Sequence, residues 1–429
     1  MKVAIYSLGC KVNTYESMSV KEQFEHRGYE IVDIKEYADI YVINTCTVTN
    51  TADSKSRKMI RRVVRQNPEA IVAVMGCYAQ MDPEGVSAID GVDIVIGTTH
   101  RNELINHIED IIPERKRLAL VEDVSKYKVF DELHVTHYLE HTRAFIKIQD
   151  GCNNFCSYCI IPFARGRVRS RPLEDVINET KELIHNGYKE FVLTGIHTGG
   201  YGQDLEESFY DLLKTLSEVE GLKRLRISSI EINELTDDIL KLMKSNPVFA
   251  RQLHIPLQSG SERILKDMRR HYTKQEYLSR INEIRALMPN LAITTDIIVG
   301  YPTETDDEFE EIVEFVKECQ FTEMHVFPYS KRSGTKASQY KHEVHGDIKQ
   351  ARVHSLLKIN NELHLSYIEK NMNNTLSVLF ETSDDTYTYG HASNYLYVAT
   401  LKDESLHNNI VNVRIESLKN NKIIVKKIG

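Results

Sequence analysis

In residues 1–130, short apolar runs at 2–8, 40–44, 71–75 and 92–96 alternate with stretches at 14–27 and 53–66 that read as helices. That alternation predicts a parallel α/β sheet with helices crossing between its strands. A second alternation runs from 142 to 329, with strand candidates at 144–148, 191–194, 224–228, 252–256, 294–299 and 324–327. Amphipathic stretches such as 173–186 and 274–287 separate them. Six β/α units predict a partial barrel, open where an eight-unit barrel would close. Residues 346–370 read as one long polar-faced helix. From 371 the pattern changes to short β runs, TLSVLF, NYLYVAT, IVNVRIES and NKIIVKK, with turn residues between them, as in a small barrel. The expected class is α/β: a sheet domain at 1–130, a partial (β/α)6 barrel with a trailing helix at 138–370, and a small all-β barrel at 371–429.

Length agrees with this division, since 429 residues exceed one ordinary core and imply roughly two to four domains. With 41% hydrophobic residues and a mean hydropathy of −0.37, the chain reads as globular and soluble. No apolar stretch approaches the ~18 residues of a membrane span. The start, MKVAIYSLGC, has no charged leader or cleavage-type site and reads as a first strand. Seven cysteines, an odd number, point to a reducing cytoplasm and to metal ligation over disulfides.

The formal net charge of −8 does not suggest nucleic acid, but local charge does. The segment KSRKMIRRVVR at 55–65 carries six basic residues, Lys58, Arg61, Arg62 and Arg65 among them, and no acid. Arg165, Arg167, Arg169 and Arg171 recur at every second position, so an extended chain would set all four on one face. A charge run is often only a solvated face. Two such runs in an acidic protein favour an anionic partner such as RNA.

Cysteine spacing carries the chemistry. Cys152, Cys156 and Cys159 form a C-x3-C-x2-C run in GCNNFCSYC, just after the first barrel strand. Three thiolates so close can hold three corners of a cubane iron–sulfur cluster and leave one iron open. Cys156-x2-Cys159 is also a zinc half-site, but no further Cys or His occurs before His185, which favours the cluster. Cys10, Cys46 and Cys77 each follow one of the first three strands, in SLGC, INTC and VMGC. In a parallel sheet all carboxyl ends lie on one edge, so these distant cysteines are placed to converge. Gly9 and Gly76 allow the backbone to come close there.

Taken together, these residues resemble the radical S-adenosylmethionine methylthiotransferases over nearly the whole chain. SLGCKVNTYES, VINTCTVTNTADSKSR and CIIPFARGRVRSRP are similar to the branch that modifies N6-threonylcarbamoyladenosine in tRNA. The isopentenyladenosine branch reads closer to YGCQMN and NTCSVRE, and the branch acting on a ribosomal-protein aspartate lacks the RGRVRSR string. The resemblance implies a radical 4Fe–4S cluster on Cys152, Cys156 and Cys159, and an auxiliary 4Fe–4S cluster on Cys10, Cys46 and Cys77. It implies S-adenosylmethionine as cofactor and a C-terminal TRAM-type barrel that contacts RNA. The implied partners are a tRNA anticodon stem-loop and an electron donor such as flavodoxin or ferredoxin. In DIIVGYP, Gly300 and Pro302 match the element that packs near the cofactor adenine, although Asp296 stands where that pattern has its first glycine. TGIHTGG lacks the glutamate that usually follows its glycine pair, which leaves Glu231 as an alternative polar contact to the cofactor. His254 and Gln258 are cavity candidates, and Cys319 reads as a structural thiol. A non-catalytic iron–sulfur RNA-binding protein is the alternative from a different functional class.

Overall fold

The computed structural model describes residues 1–138 and 142–428; residues 139–141 and 429, inside the expected second and third domains, lie outside the described residues. Strands β1 (Lys2–Ser7), β2 (Glu30–Val32), β3 (Ile40–Thr45), β4 (Ile71–Gly76), β5 (Ile94–Ile96) and β6 (Leu118–Leu120) form one parallel sheet, ordered β2-β1-β3-β4-β5-β6. Side chains alternate between its faces. Val3, Val42 and Ala73 pack against Val20 and Phe24 of helix Lys11–His26. Ala4, Ile43 and Val74 pack against Ile60 and Val63 of helix Asn50–Gln66. Both faces being covered, β3 and β4 are buried at every position, and this is why they read as unbroken apolar runs. The short edge strands β2 and β6 have exposed and half-buried positions and left no such run to read.

The second unit contains β7 (Arg143–Lys147), a two-residue pair β8 (Gln149–Asp150) and β9 (Arg169–Ser170), then β10 (Glu190–Thr194), β11 (Arg224–Ile227), β12 (Gln252–His254), β13 (Ala292–Val299) and β14 (Glu323–Pro328). Parallel pairing gives β7-β10-β11 and β12-β13-β14, joined by bridges Leu225↔Phe249 and Ser229↔His254. These six strands form an open arc, the partial barrel expected. Helix Gly346–Asn371 covers its β14 end through Val353, Leu356 and Ile359. The third unit is a closed five-stranded barrel of β15 (Thr375–Ser383), β16 (Tyr387–Ala392), β17 (Tyr397–Leu401), β18 (Ile410–Lys419) and β19 (Lys422–Lys427).

A buried carboxylate docks that barrel. Glu190 accepts from Arg224 Nη1 at 2.8 Å and Arg226 Nε at 2.9 Å. Arg224 Nη2 reaches on to Ser377 O at 2.9 Å, and Arg226 Nη2 to Ala392 O at 3.3 Å. Burial opposes the Glu190 charge, yet Arg226, Arg224 and Arg143 lower its pKa from 4.5 to about 2. The folded-state pKa is depressed, so its stabilisation is full above the ordinary value and is lost as pH falls through the folded one. Glu190→Gln is expected to cost about 3 kcal/mol at pH 7, read by urea unfolding. The gap between variant and parent should close as pH falls from about 4.5 toward 2.

Candidate active site

Strands β1, β3 and β4 end on one sheet edge, with Ser7 opposite Asn44 and Thr45 opposite Gly76. Cys10, at the start of helix Lys11–His26, Cys46, just after β3, and Cys77, opening helix Cys77–Met81, all stand on that edge. Gly9 has φ +111°, and a Cβ there would lie 2.8 Å from Cys46 Cβ. Gly76 has φ +99°, and its Cβ would meet Asn44 Oδ1 at 2.4 Å. Only glycine allows the loops to come this close. The Asn13 amide donates to Leu8 O at 2.7 Å and Thr45 O at 3.0 Å, tying two of the loops together. Burial pushes Cys77 up to about 12 despite Arg165, whose Nε donates to its sulfur at 3.1 Å. Burial also raises Cys46, and Cys10 adds to the effect. Two buried thiols whose ionisation burial opposes, with Cys10 on the same edge, form a soft sulfur donor set that fits iron of a cluster.

The C-x3-C-x2-C loop is pinned from several sides. Gly151 has φ +76°, and a Cβ there would strike Arg167 O at 1.9 Å. Cys152 N donates to Gly166 O at 3.0 Å, and Cys159 N to Cys156 O at 3.0 Å. Behind the sulfurs stand cations. Arg270 Nη1 donates to Cys156 Sγ at 3.4 Å, while Arg270 Nη2 pairs with Glu231. Glu231 is thus neither solvated nor free but anchors the arginine behind Cys156. Burial works against the His197 charge, but bonds to Cys152 and Glu234 raise its pKa to about 10. Burial lifts Cys159 to about 12. Gly300, at φ +70°, donates its N–H to Glu304 Oε1 at 2.7 Å, and Pro302 is buried. Between them, Tyr301 Oη lies 2.8 Å from Ser157 Oγ, so this element braces the cysteine loop itself. Here too the half-buried trio and its cationic backing suit a cluster.

A cavity of about 540 Å³ opens between the units, lined by Cys10 and Lys11 of the first, strand-end residues of the second, and Tyr395 of the third. Register places its polar floor: β12 sets His254 beside Thr294, and β14 sets His325 beside Asp296. His254 Nε2 lies 3.2 Å from Asp296 Oδ2, and His325 Nδ1 3.3 Å from Oδ1. His254 Nδ1 meets Thr294 Oγ1 at 2.9 Å. Burial opposes the Asp296 charge, but the two imidazoles hold it well below the usual carboxylate range. Lys11 keeps exposed surface toward the cavity, yet desolvation of its ammonium, with Arg143 and Arg226 nearby, lowers its pKa to about 8. Gln258 is buried and donates its N–H to Asp296 O at 2.8 Å. Cys319 is buried in the barrel core. Lys11 and His325 went unrecognised in the sequence; adjacency to Cys10 was the one available sign for Lys11, and His325 depends on strand register.

The arginine string requires a correction. Arg165, Arg169 and Arg171 are buried, and only Arg167 is exposed, with its guanidinium 4.4 Å from the Phe155 ring centroid. The segment is not extended: helix Ile161–Arg165 ends at Gly166, whose φ of +74° reverses the chain before β9. Arg165 Nη1 bonds Glu16 Oε1 at 2.5 Å and Asp150 Oδ2 at 3.2 Å. Lys147 Nζ reaches the same acids at 2.9 and 2.6 Å, and Arg101 joins them. Arg171 pairs with Glu179, and Arg169 Nη1 donates to Arg165 O at 2.9 Å. These arginines clamp the first unit to the second. By contrast Lys58, Arg61, Arg62 and Arg65 are all exposed on helix Asn50–Gln66.

Comparison with known proteins follows the same division. Residues 146–316 match the radical SAM superfamily, and residues 2–97 match an uncharacterised protein family, UPF0004. The chain is 46% identical over 96% of its length to the threonylcarbamoyladenosine tRNA methylthiotransferase MtaB of Bacillus subtilis, covering 93% of that protein. It is 36% identical over 88% of its length to the tRNA-2-methylthio-N(6)-dimethylallyladenosine synthase of Clostridium tetani, covering 84% of it. The chain belongs to the radical S-adenosylmethionine tRNA methylthiotransferases. A solved methyltransferase of the wider superfamily, TsrM from Kitasatospora setae with cobalamin and a [4Fe-4S] cluster bound, aligns with a TM-score of 0.61 at 14% identity, over 79% of this chain and 76% of that one. At that identity the likeness concerns the fold alone.

For this methylthiotransferase the two kinds of arginine separate experimentally. Arg165→Ala leaves Glu16 and Asp150 short of a buried partner and should cost about 3–5 kcal/mol in urea unfolding. Arg167→Ala should change stability by less than about 0.5 kcal/mol.

Proposed function

We propose that this enzyme places a methylthio group on carbon 2 of N6-threonylcarbamoyladenosine next to the anticodon of tRNA. The observation that carries the reading is one cavity bordered by Cys10 of the first trio and by barrel strand ends on the edge that bears the Cys152 loop. Carbon 2 of adenine offers neither useful acidity nor nucleophilicity, so its C–H bond needs radical chemistry, which a 4Fe–4S cluster with S-adenosylmethionine would supply, while a second 4Fe–4S cluster would present the sulfur. Cys152, Cys156 and Cys159 hold the radical cluster, and Cys10, Cys46 and Cys77 hold the auxiliary one. Arg270, oriented by Glu231, and His197, oriented by Glu234, place positive charge behind the first trio; Arg165 does so behind Cys77. Gly300 and Pro302 flank Tyr301, which fixes the loop around Ser157. The cavity walls take in the unstacked base and keep bulk water from it.

In this reading the parts at 1–130, 138–370 and 371–429 act as auxiliary-cluster, radical and RNA-binding domains. The exposed Lys58, Arg61, Arg62 and Arg65, with Arg167, supply phosphate contacts. On the tail barrel, which we take as TRAM-type, Tyr389 and Tyr397 stack at 5.6 Å with 9° between their planes, and Lys422 lies 5.2 Å from the Tyr389 ring centroid. Such a platform suits unpaired bases of an anticodon loop. The reaction also needs a reducing protein such as flavodoxin or ferredoxin and a cytoplasmic setting.

Mass spectrometry of tRNA nucleosides from cells lacking the protein tests the nucleoside. The 2-methylthio form of threonylcarbamoyladenosine should vanish while the isopentenyl form stays, and the reverse result would sink the assignment. Replacing Cys152, Cys156 and Cys159 by Ala should abolish cleavage of S-adenosylmethionine to 5′-deoxyadenosine. Replacing Cys10, Cys46 and Cys77 should leave cleavage and end thiolation. For the RNA surface, changing Lys58, Arg61, Arg62 and Arg65 to Ala should weaken stem-loop binding and flatten its salt slope by about 1 per lost phosphate contact.

A further inference from the structure

The charged groups around the cavity are partnered unevenly. Arg226 is committed to Glu190 and to the carbonyls of Ala392 and Ser393. His254 and His325 share Asp296. Glu323 lines the wall on the His325 side. Lys11, on the Cys10 side, lines the cavity as well, and among the described residues its side chain makes no hydrogen bond or ion pair. Its charged neighbours include Arg143, Arg226 and Glu190, and Glu190 is already taken by Arg224 and Arg226. An ammonium set in a concave wall beside other cations, with no carboxylate of its own, is a site prepared for an anion. It also stands at the start of helix Lys11–His26, whose dipole adds in the same sense.

We infer that Lys11 forms a carboxylate-binding subsite that grips the threonyl carboxylate of the target nucleoside and so selects it over neutral N6-substituted adenines. This inference rests on the proposed function. In adenine, carbons 2 and 6 flank the same ring nitrogen, so a substituent on N6 leaves the ring within a few ångströms of carbon 2. A base presented with carbon 2 toward Cys10 therefore carries its N6 substituent into the neighbourhood of the next residue in the chain. A threonylcarbamoyl group brings one carboxylate there; an isopentenyl group brings only hydrocarbon. The first gives Lys11 its missing partner, and the second leaves it buried and unpaired on binding, which is how a site rejects an analogue lacking the polar group. The same ammonium could instead take the carboxylate of the methionyl part of S-adenosylmethionine, so the test has an arm for each source.

The test uses the full chain with its clusters reconstituted and compares the parent, Lys11→Gln and Lys11→Arg. Fluorescence anisotropy would follow binding of anticodon stem-loops carrying threonylcarbamoyladenosine, the same nucleoside with its carboxylate converted to a carboxamide, or plain adenosine. The parent should prefer the carboxylate over the carboxamide by about 30-fold or more. Lys11→Gln should bind the two alike, with iron content and affinity for the plain stem-loop unchanged, and Lys11→Arg should keep most of the preference. Equilibrium dialysis of S-adenosylmethionine should be unaffected by either change. A preference that survives in Lys11→Gln overturns the inference. So does an equal loss for every stem-loop, which marks a structural role, or a loss of cofactor binding with the stem-loop preference intact. The binding arms read recognition alone: a deletion strain that keeps its 2-methylthio nucleoside defeats the functional reading whatever Lys11 does, and an unaltered Lys11→Gln defeats only this inference.

Discussion

Glu16 and Asp150 lie fully buried between the two parallel-sheet units, and their charges persist only because Arg101, Arg165 and Lys147 converge on them. Burial alone would protonate Glu16, yet Arg101, Arg165 and Lys147 lower its pKa to about 2. Ion pairs of this kind add little net stability over a hydrophobic contact of equal volume, but they are unforgiving of misalignment. Here the constraint sets geometry. Helix Lys11–His26 carries Glu16 and begins beside Cys10, while Lys147, Asp150 and Arg165 surround the start of the Cys152 loop. The same network that orders the interface therefore fixes how one cysteine trio stands relative to the other.

Arg165 makes the coupling direct, because one guanidinium bonds Glu16, Asp150, Asn13 and the Cys77 sulfur. Across the molecule a second charged cluster, Glu190 with Arg224 and Arg226, seats the tail barrel and brings Tyr395 to the cavity. Buried charge thus assembles three units around one shared cavity at the carboxyl ends of the strands. Parallel sheets favour that placement, since loops at this edge are free to carry chemistry while the strands are used up in packing.

Both sheet units and the tail barrel were legible as periodicity, and most strands and helices fall within a few residues of the runs that announced them. The edge strands Glu30–Val32 and Leu118–Leu120 were not, because half-exposed three-residue strands leave no apolar run. The two cysteine trios stood out by spacing and by their recurrence after strands. The alternating arginines misled: residue alternation implies a common face only in an extended chain, and Gly166 turns this one. Asp296 stood out as a departure from a glycine pattern, but its pairing with His254 and His325 arises from strand register across 42 and 29 residues of sequence, which no local pattern encodes.

By itself the sequence determined the classes of element and the order of the units, and it singled out two cysteine trios, because periodicity and thiol spacing are local properties. Tertiary structure alone decided which cations are buried and which are exposed, how the histidines meet Asp296, and where the Lys11 side chain stands without a partner among the described residues. Those outcomes depend on desolvation and on neighbours distant in sequence. A charge is read in the chain as a letter, but its energy is set by what surrounds it after folding.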